Sequence, residues 1–200
     1  MEFEISGHAI NSLMPFIKAV HKNKDARSYI NCVHFRTHGS SVDISITSGL
    51  FLARLTVKNF IDTPTTTNNI KYVGIPVQAL VDLKVTDGTR LKFTFEDTEC
   101  RLDTDNTTQY MRFSDTNSPD LDKLIPEGEL SGEYSHLNIE LLSLFASSWR
   151  AVNGTKNKRM TPLVNIRHNG PKQAAKITFK DHPRVRWGSH AFCNVKLGVY

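Results

Sequence analysis

The sequence contains three cysteines, Cys32, Cys100 and Cys193, and no two of them lie at a redox or metal-binding spacing. An odd, widely separated set excludes a disulfide framework and argues for a reducing, cytoplasmic compartment. Long apolar runs are missing as well: Leu50–Ala53 is among the longest. No membrane-spanning helix is therefore expected. The opening Met1-Glu2-Phe3-Glu4-Ile5 is acidic and alternating, unlike a signal or transit peptide. The phosphate-binding, dinucleotide-binding, zinc-protease and nucleophile-elbow patterns are all absent. The chain is accordingly read as non-enzymatic, with no cofactor and no metal. His34 and His38 are four positions apart but fall in an expected strand and turn, a placement read as not bringing both to one face. Asp103 and Asp105 are read as solvated turn acids.

Acids are almost missing from the last part of the chain. Residues 141–200 hold 11 Lys/Arg and the single acid Asp181, a net of +10, whereas residues 1–140 hold 14 Lys/Arg and 19 Asp/Glu, a net of −5. The total of +5 hides this split. One segment suited to a polyanion, beside a solvated remainder, points to nucleic acid. With 39% hydrophobic residues in 200, the chain has enough apolar material for a core.

The patterning repeats. An alternating strand at Glu2–Ser6 precedes Ile10, Leu13, Phe16, Ile17 and Val20 at helical spacing. Pro15 interrupts that helix, so it is expected to kink or to begin effectively near Pro15. Strands follow at Asn31–Thr37, Val42–Thr47 and Phe51–Val57, separated by Gly-containing turns. After the polar stretch Asp62–Asn69, the pattern restarts with a strand at Tyr72–Ile75 and a helix over 77–84 opened by Pro76. Strands at Leu91–Phe95, Glu99–Asp103 and Gln109–Phe113 complete it. A second polar linker leads to a third copy, with Leu141, Leu144, Phe145, Trp149 and Val152 at helical spacing. Strands at Leu163–Arg167, Ala175–Phe179 and Phe192–Leu197 close the chain. The expected class is α+β, with antiparallel sheets and helices packed on one face, in three strand–helix–strands copies. The expected boundaries are a domain of two copies over 1–115, a linker over 116–131 and a basic half-domain over 132–200. Trp149 fits the core stripe. Trp187, beside Arg186 in polar surroundings, is a candidate interaction anchor.

Several stretches resemble the bacterial beta sliding clamp, the processivity factor of replicative DNA polymerase. Met1–Ile5 with the proline-containing helix resembles the clamp's opening. Ile75-Pro76, the following helix, Asp87-Gly88, three strands and Ser118-Pro119-Asp120-Leu121 resemble the second half of its first domain and the connector leaving it. Asn169-Gly170-Pro171 and the closing Asn194-Val195-Lys196-Leu197 resemble the end of its last domain. The resemblance implies a shortened member from a phage or other mobile element, with a clamp-like (DNA clamp) fold whose helices face double-stranded DNA. It makes Lys18, Lys22, Lys24 and Arg27 at the first helix, and Arg150, Lys156, Lys158 and Arg159 at the third, the DNA-facing candidates. Phosphate contact requires only cations spaced along a surface. Arg167, Lys172, Lys176, Lys180, Arg184 and Arg186 are read as strand positions facing outward. Trp187, Val195 and Leu197 are the candidates for binding a protein partner such as a polymerase or another host protein. A homo-oligomer is expected, because the third copy alone leaves a sheet edge and a helix side unpaired. Two roles remain open: a processivity or tethering factor, and a clamp-shaped decoy or inhibitor of a host nucleic-acid-bound complex.

Overall fold

The computed structural model describes residues 1–23, 25–61, 72–113, 120–124, 139–153, 164–167, 175–179 and 193–197. In chain order these form β1 (Glu2–Ser6), α1 (Gly7–Lys22), β2 (Cys32–His38), β3 (Ser41–Thr47), β4 (Phe51–Lys58), β5 (Val73–Pro76), α2 (Val77–Val81), β6 (Arg90–Glu96), β7 (Glu99–Asp103), β8 (Thr108–Arg112), α3 (Ile139–Val152), β9 (Val164–Arg167), β10 (Ala175–Phe179) and β11 (Cys193–Leu197). Single 3-10 turns lie at Ser28–Asn31 and Leu121–Leu124.

The strands make two antiparallel sheets, in the orders β1-β6-β7-β8 and β5-β2-β3-β4-β11-β10-β9. The first two copies exchange their leading strands. β1 pairs with β6 of the second copy, Phe3 facing Phe93, while β5 pairs with β2 of the first, Ile75 facing Val33. Neither copy completes its sheet alone, so the two are tied into one body. Period-two alternation drives this: Phe3 and Ile5, then Leu91, Phe93 and Phe95, turn one way and are buried, while Glu4 and Lys92 turn the other. At the junction of the sheets Phe3 stacks on Phe93 at 5.1 Å and on Phe35 of β2 at 5.3 Å.

α1 buries Ala9, Ile10, Leu13, Phe16, Ile17 and Val20 along one stripe. It begins at Gly7 and runs through Pro15, so of the two expectations, a kink or an effective start near Pro15, the late start does not hold. Proline removes one amide donor, but the buried stripe runs on both sides of it and holds the helix against the sheets. Gly7 is required for a different reason: a Cβ there would sit 2.2 Å from the Thr86 carbonyl oxygen. Gly7 and His8 also donate to the Thr89 and Asp87 carbonyls, at 2.8 and 3.2 Å. Gly7→Ala is therefore expected to shift the helix start and lower unfolding stability by about 1–3 kcal/mol, read from denaturant midpoints. α2 is shorter than its expected span, ending at Val81, because only Val77 and Leu80 are buried on it.

The third copy is not left unpartnered. β11 pairs with β4 and continues the larger sheet. α3 packs antiparallel on α1: Phe145 meets Phe16 at 5.1 Å, Ser148 Oγ donates to the Ser12 carbonyl at 2.6 Å, and Val152 O lies 2.9 Å from His8 Nε2. Trp149 is fully buried, as its place in the stripe requires.

Candidate nucleic-acid interface

The apolar faces of α1 and α3 point into the core, so their polar stripes share one side of the molecule. On α1 this stripe carries exposed Lys18 and Lys22; on α3 it carries exposed Glu140, Ser143 and Ser147 and half-buried Arg150. Because the helices run antiparallel, Arg150 lies level with the start of α1 and the two lysines lie toward its end. At a rise of about 1.5 Å per residue this separates the cations by roughly 12–18 Å along the helix pair. Among the described residues Lys18, Lys22 and Arg150 are thus spaced along a line rather than gathered into one patch, which suits a polyphosphate backbone better than a single phosphate.

Arg27 stands apart. Its guanidinium is held by Asp25, with Nε to Oδ1 and Nη2 to Oδ2 both at 2.9 Å. Those hydrogen bonds hold the Asp25 carboxyl well below the ordinary range. Arg27 also lies against the Gly49 turn between β3 and β4. Lys24, Lys156, Lys158, Arg159 and Trp187 lie outside the described residues. Val195 and Leu197 are placed by backbone register only: β11 is interior to the sheet, with Val195 opposite Ala53 and Leu197 opposite Phe51.

One cation escaped the sequence reading. Exposed Lys84 follows α2 and shares a groove of about 860 Å³ with Asn11, Met14, Lys18 and His21 of α1. Only the packing of α2 beside α1 reveals it, since Lys84 read alone is one more residue of a short helix.

A second polar cluster lies on the outer face of the larger sheet. β2 runs on through His38, and alternation therefore puts His34, Arg36 and His38 on one face, correcting the expectation that the two histidines diverge. They still make no metal site: His34 Nε2 bonds the Tyr29 carbonyl at 2.7 Å, while His38 Nε2 faces Asp43 at 3.0 Å. Among the described residues no group of His, Cys, Asp and Glu is arranged to hold a metal. Beside them, Arg36 and Arg54 both donate to Asp122 of the Leu121–Leu124 turn. Burial alone would raise the Asp122 carboxyl; the hydrogen bonds from Arg54 and Arg36 outweigh it and hold it below its usual value. Cys32 and Cys100 are buried thiols pushed up to about 11 and about 12 by desolvation, so they are inert packing groups.

No protein-family model matches the chain, and no curated protein matches it. Solved structures do. The chain is similar to Archaeoglobus fulgidus PCNA, solved with the C-terminal region of FEN-1 bound, at a TM-score of 0.65 and 9% identity over 98% of this chain and 97% of that one. It is similar to a putative DNA polymerase III beta subunit from Eubacterium rectale, at a TM-score of 0.62 and 11% identity over 100% of this chain and 65% of that one. It is also similar to the Bacillus subtilis sliding clamp, at a TM-score of 0.54 and 16% identity, where it spans 50% of that chain's length. The fold is that of the sliding clamps, α+β with antiparallel sheets.

Proposed function

We propose that this chain is a non-enzymatic tether that holds a replication or repair protein on duplex DNA through its helical side. The observation that carries the reading is the antiparallel α1–α3 pair, which aligns Lys18, Lys22 and Arg150 along one surface of a clamp fold. The basic segment after α3, with Lys156, Lys158 and Arg159, extends that charge along the sequence. Such a protein acts without bond chemistry: by linking its partner to DNA it converts rebinding into an intramolecular event. The test is salt-dependent binding of the purified chain to duplex of mixed sequence. Tight, DNA-independent capture of a protein partner with no affinity for duplex would instead support the decoy role.

Self-association belongs to the same reading, on grounds other than an unpaired third copy. The edge of β1 is covered, because Phe60 N donates to the Glu4 carbonyl at 2.9 Å and Asn59 Oδ1 accepts Glu4 N at 3.0 Å. Among the described residues β8 and β9 are edge strands of the two sheets, and they carry exposed Tyr110 and Ile166. Joining β8 of one copy to β9 of the next satisfies both edges and buries both side chains. The contact is head-to-tail, so it closes into a ring or propagates. Light scattering is expected to show an oligomer that Tyr110→Lys with Ile166→Lys reduces to the single-chain mass. An unchanged mass would remove this interface.

A further inference from the structure

His8, in the first turn of α1, lies between acceptors on two sides. Its Nε2 is 2.9 Å from the carbonyl oxygen of Val152, the last residue of α3. Its Nδ1 is 3.6 Å from Asp87 Oδ2, in the segment between α2 and β6. Asp87 is itself held in place: its Oδ1 accepts Asn11 Nδ2 at 2.8 Å, and its backbone carbonyl accepts His8 N at 3.2 Å. The ring therefore joins three elements, and one of them belongs to the third copy.

A neutral imidazole carries a single N–H. Given to the Val152 carbonyl, it leaves a bare Nδ1 lone pair turned toward a carboxylate. Given to Asp87, it leaves two acceptors facing each other at 2.9 Å. Only the imidazolium donates to both. Its charge also suits the place, because Val152 ends α3 and a helix C-terminus favours a cation. Among the described residues, the other charged groups on the elements around it are Asp82 and Lys84 before Asp87, Glu4 on β1, Arg90 at the start of β6, and Arg150 on α3. Arg90 is paired with Glu4 at 3.4 Å, and Arg150 Nη1 donates to the Ala146 carbonyl at 3.3 Å. Asp87 is thus left to His8 and Asn11. In the sequence Lys156, Lys158 and Arg159 follow α3.

We propose that His8 is a proton-operated clasp: as the imidazolium it fastens the end of α3, and with it the third copy, to the first two copies, and on losing its proton it releases one of its two acceptors. The clasp is separate from the tethering role and does not depend on DNA binding. Docking of α3 holds the proton in place. It is therefore strongest on the acid side of the ordinary histidine range, at about 6.5, and weakens as the pH rises through it.

Backbone amide exchange on the full-length chain tests the clasp, with rates corrected for the intrinsic chemistry at each pH. Protection of the amides of residues 149–153 is expected to fall at least about threefold between roughly pH 6 and pH 8. Protection in β7, which carries no histidine, is expected to change less. His8→Gln keeps a donor for the Val152 carbonyl but takes no charge, and is expected to show the same protection at both pH values. Asp87→Asn removes the carboxylate that faces Nδ1 and is expected to reduce the change by roughly half or more. Unchanged protection in the native chain, a native-sized change in His8→Gln, or an equal loss throughout β7 would each overturn the proposal. Should His8→Gln fail to fold, Asp87→Asn decides, since its side chain is exposed. A full native pH response in that variant counts as refutation.

Discussion

Phe3→Ala is expected to cost about 3–5 kcal/mol of unfolding stability, the cost of a large ring removed from a closed core. Phe3 is fully buried and packs on the rings of Phe93, opposite it on β6, of Phe95 on that same β6 at 5.8 Å, and of Phe35 on β2 of the other sheet. These ring pairs span two structural joints. Phe93 carries the pairing through which the first copy lends its leading strand, while Phe35 carries the seam between the sheets. Deleting the ring thus opens a cavity where no single strand can move to fill it. Against a total of roughly 5–15 kcal/mol for a natural domain, the loss is large enough to leave a substantial unfolded fraction. Denaturant titration followed by tryptophan fluorescence reads it, because Trp149 is buried in the same body. Phe113→Ala is the comparison. It sits at the rim, half-buried, with its ring edge-on to Phe95 at 5.2 Å, and is expected to cost markedly less. Equal costs at the two positions would mean that the sheet junction is not the centre of the fold.

The elements themselves were legible because their patterns are local. Strand alternation at Glu2–Ser6 and Leu91–Phe95, and the stripe from Ile10 to Val20, each encode one buried face that needs no knowledge of its partner. The restart at Tyr72–Pro76 made the repeat visible as well. What the pattern could not carry is which strand pairs with which. The exchange of β1 and β5, and the junction of β11 with β4, are long-range choices among edges of similar composition. The third copy was therefore read as unpartnered, although Ser12 and Ser148 are the small residues that let α1 and α3 approach closely. The outward polar cluster was illegible for a related reason. Arg36 and Arg54 each look like an ordinary exposed strand position until the chain returns at Asp122, 86 and 68 residues later, to cover them. Arg27 shows the opposite error. A cation counted by its place after the first helix is engaged locally by Asp25, two positions before it.

Reversing Lys18, Lys22 and Lys84 together to glutamate is expected to abolish most duplex affinity and to flatten its salt dependence by close to three units of slope, at about 0.9 for each phosphate no longer neutralised. All three side chains are exposed, so the exchange leaves the core intact, which circular dichroism verifies. The loss should be the same for duplexes of unrelated sequence, because phosphate contacts position a protein without reading bases. Arg150→Gln, on the neighbouring helix and toward the other end of the pair, is expected to remove roughly one further unit of slope. Additivity of the two changes is the informative part, since it requires one duplex to run along both helices. Lys92→Glu with Lys176→Glu is the control. Lys92 alternates with buried Leu91 and Phe93, and Lys176 with buried Ala175 and Ile177, so both project from sheet faces away from the core. That pair is expected to change the slope by well under one unit. If the control abolished binding while the helix set left it intact, DNA would lie against the sheets and the helical side would need another role. If neither set had an effect, the tethering function would fall, while the α1–α3 packing would stand unchanged.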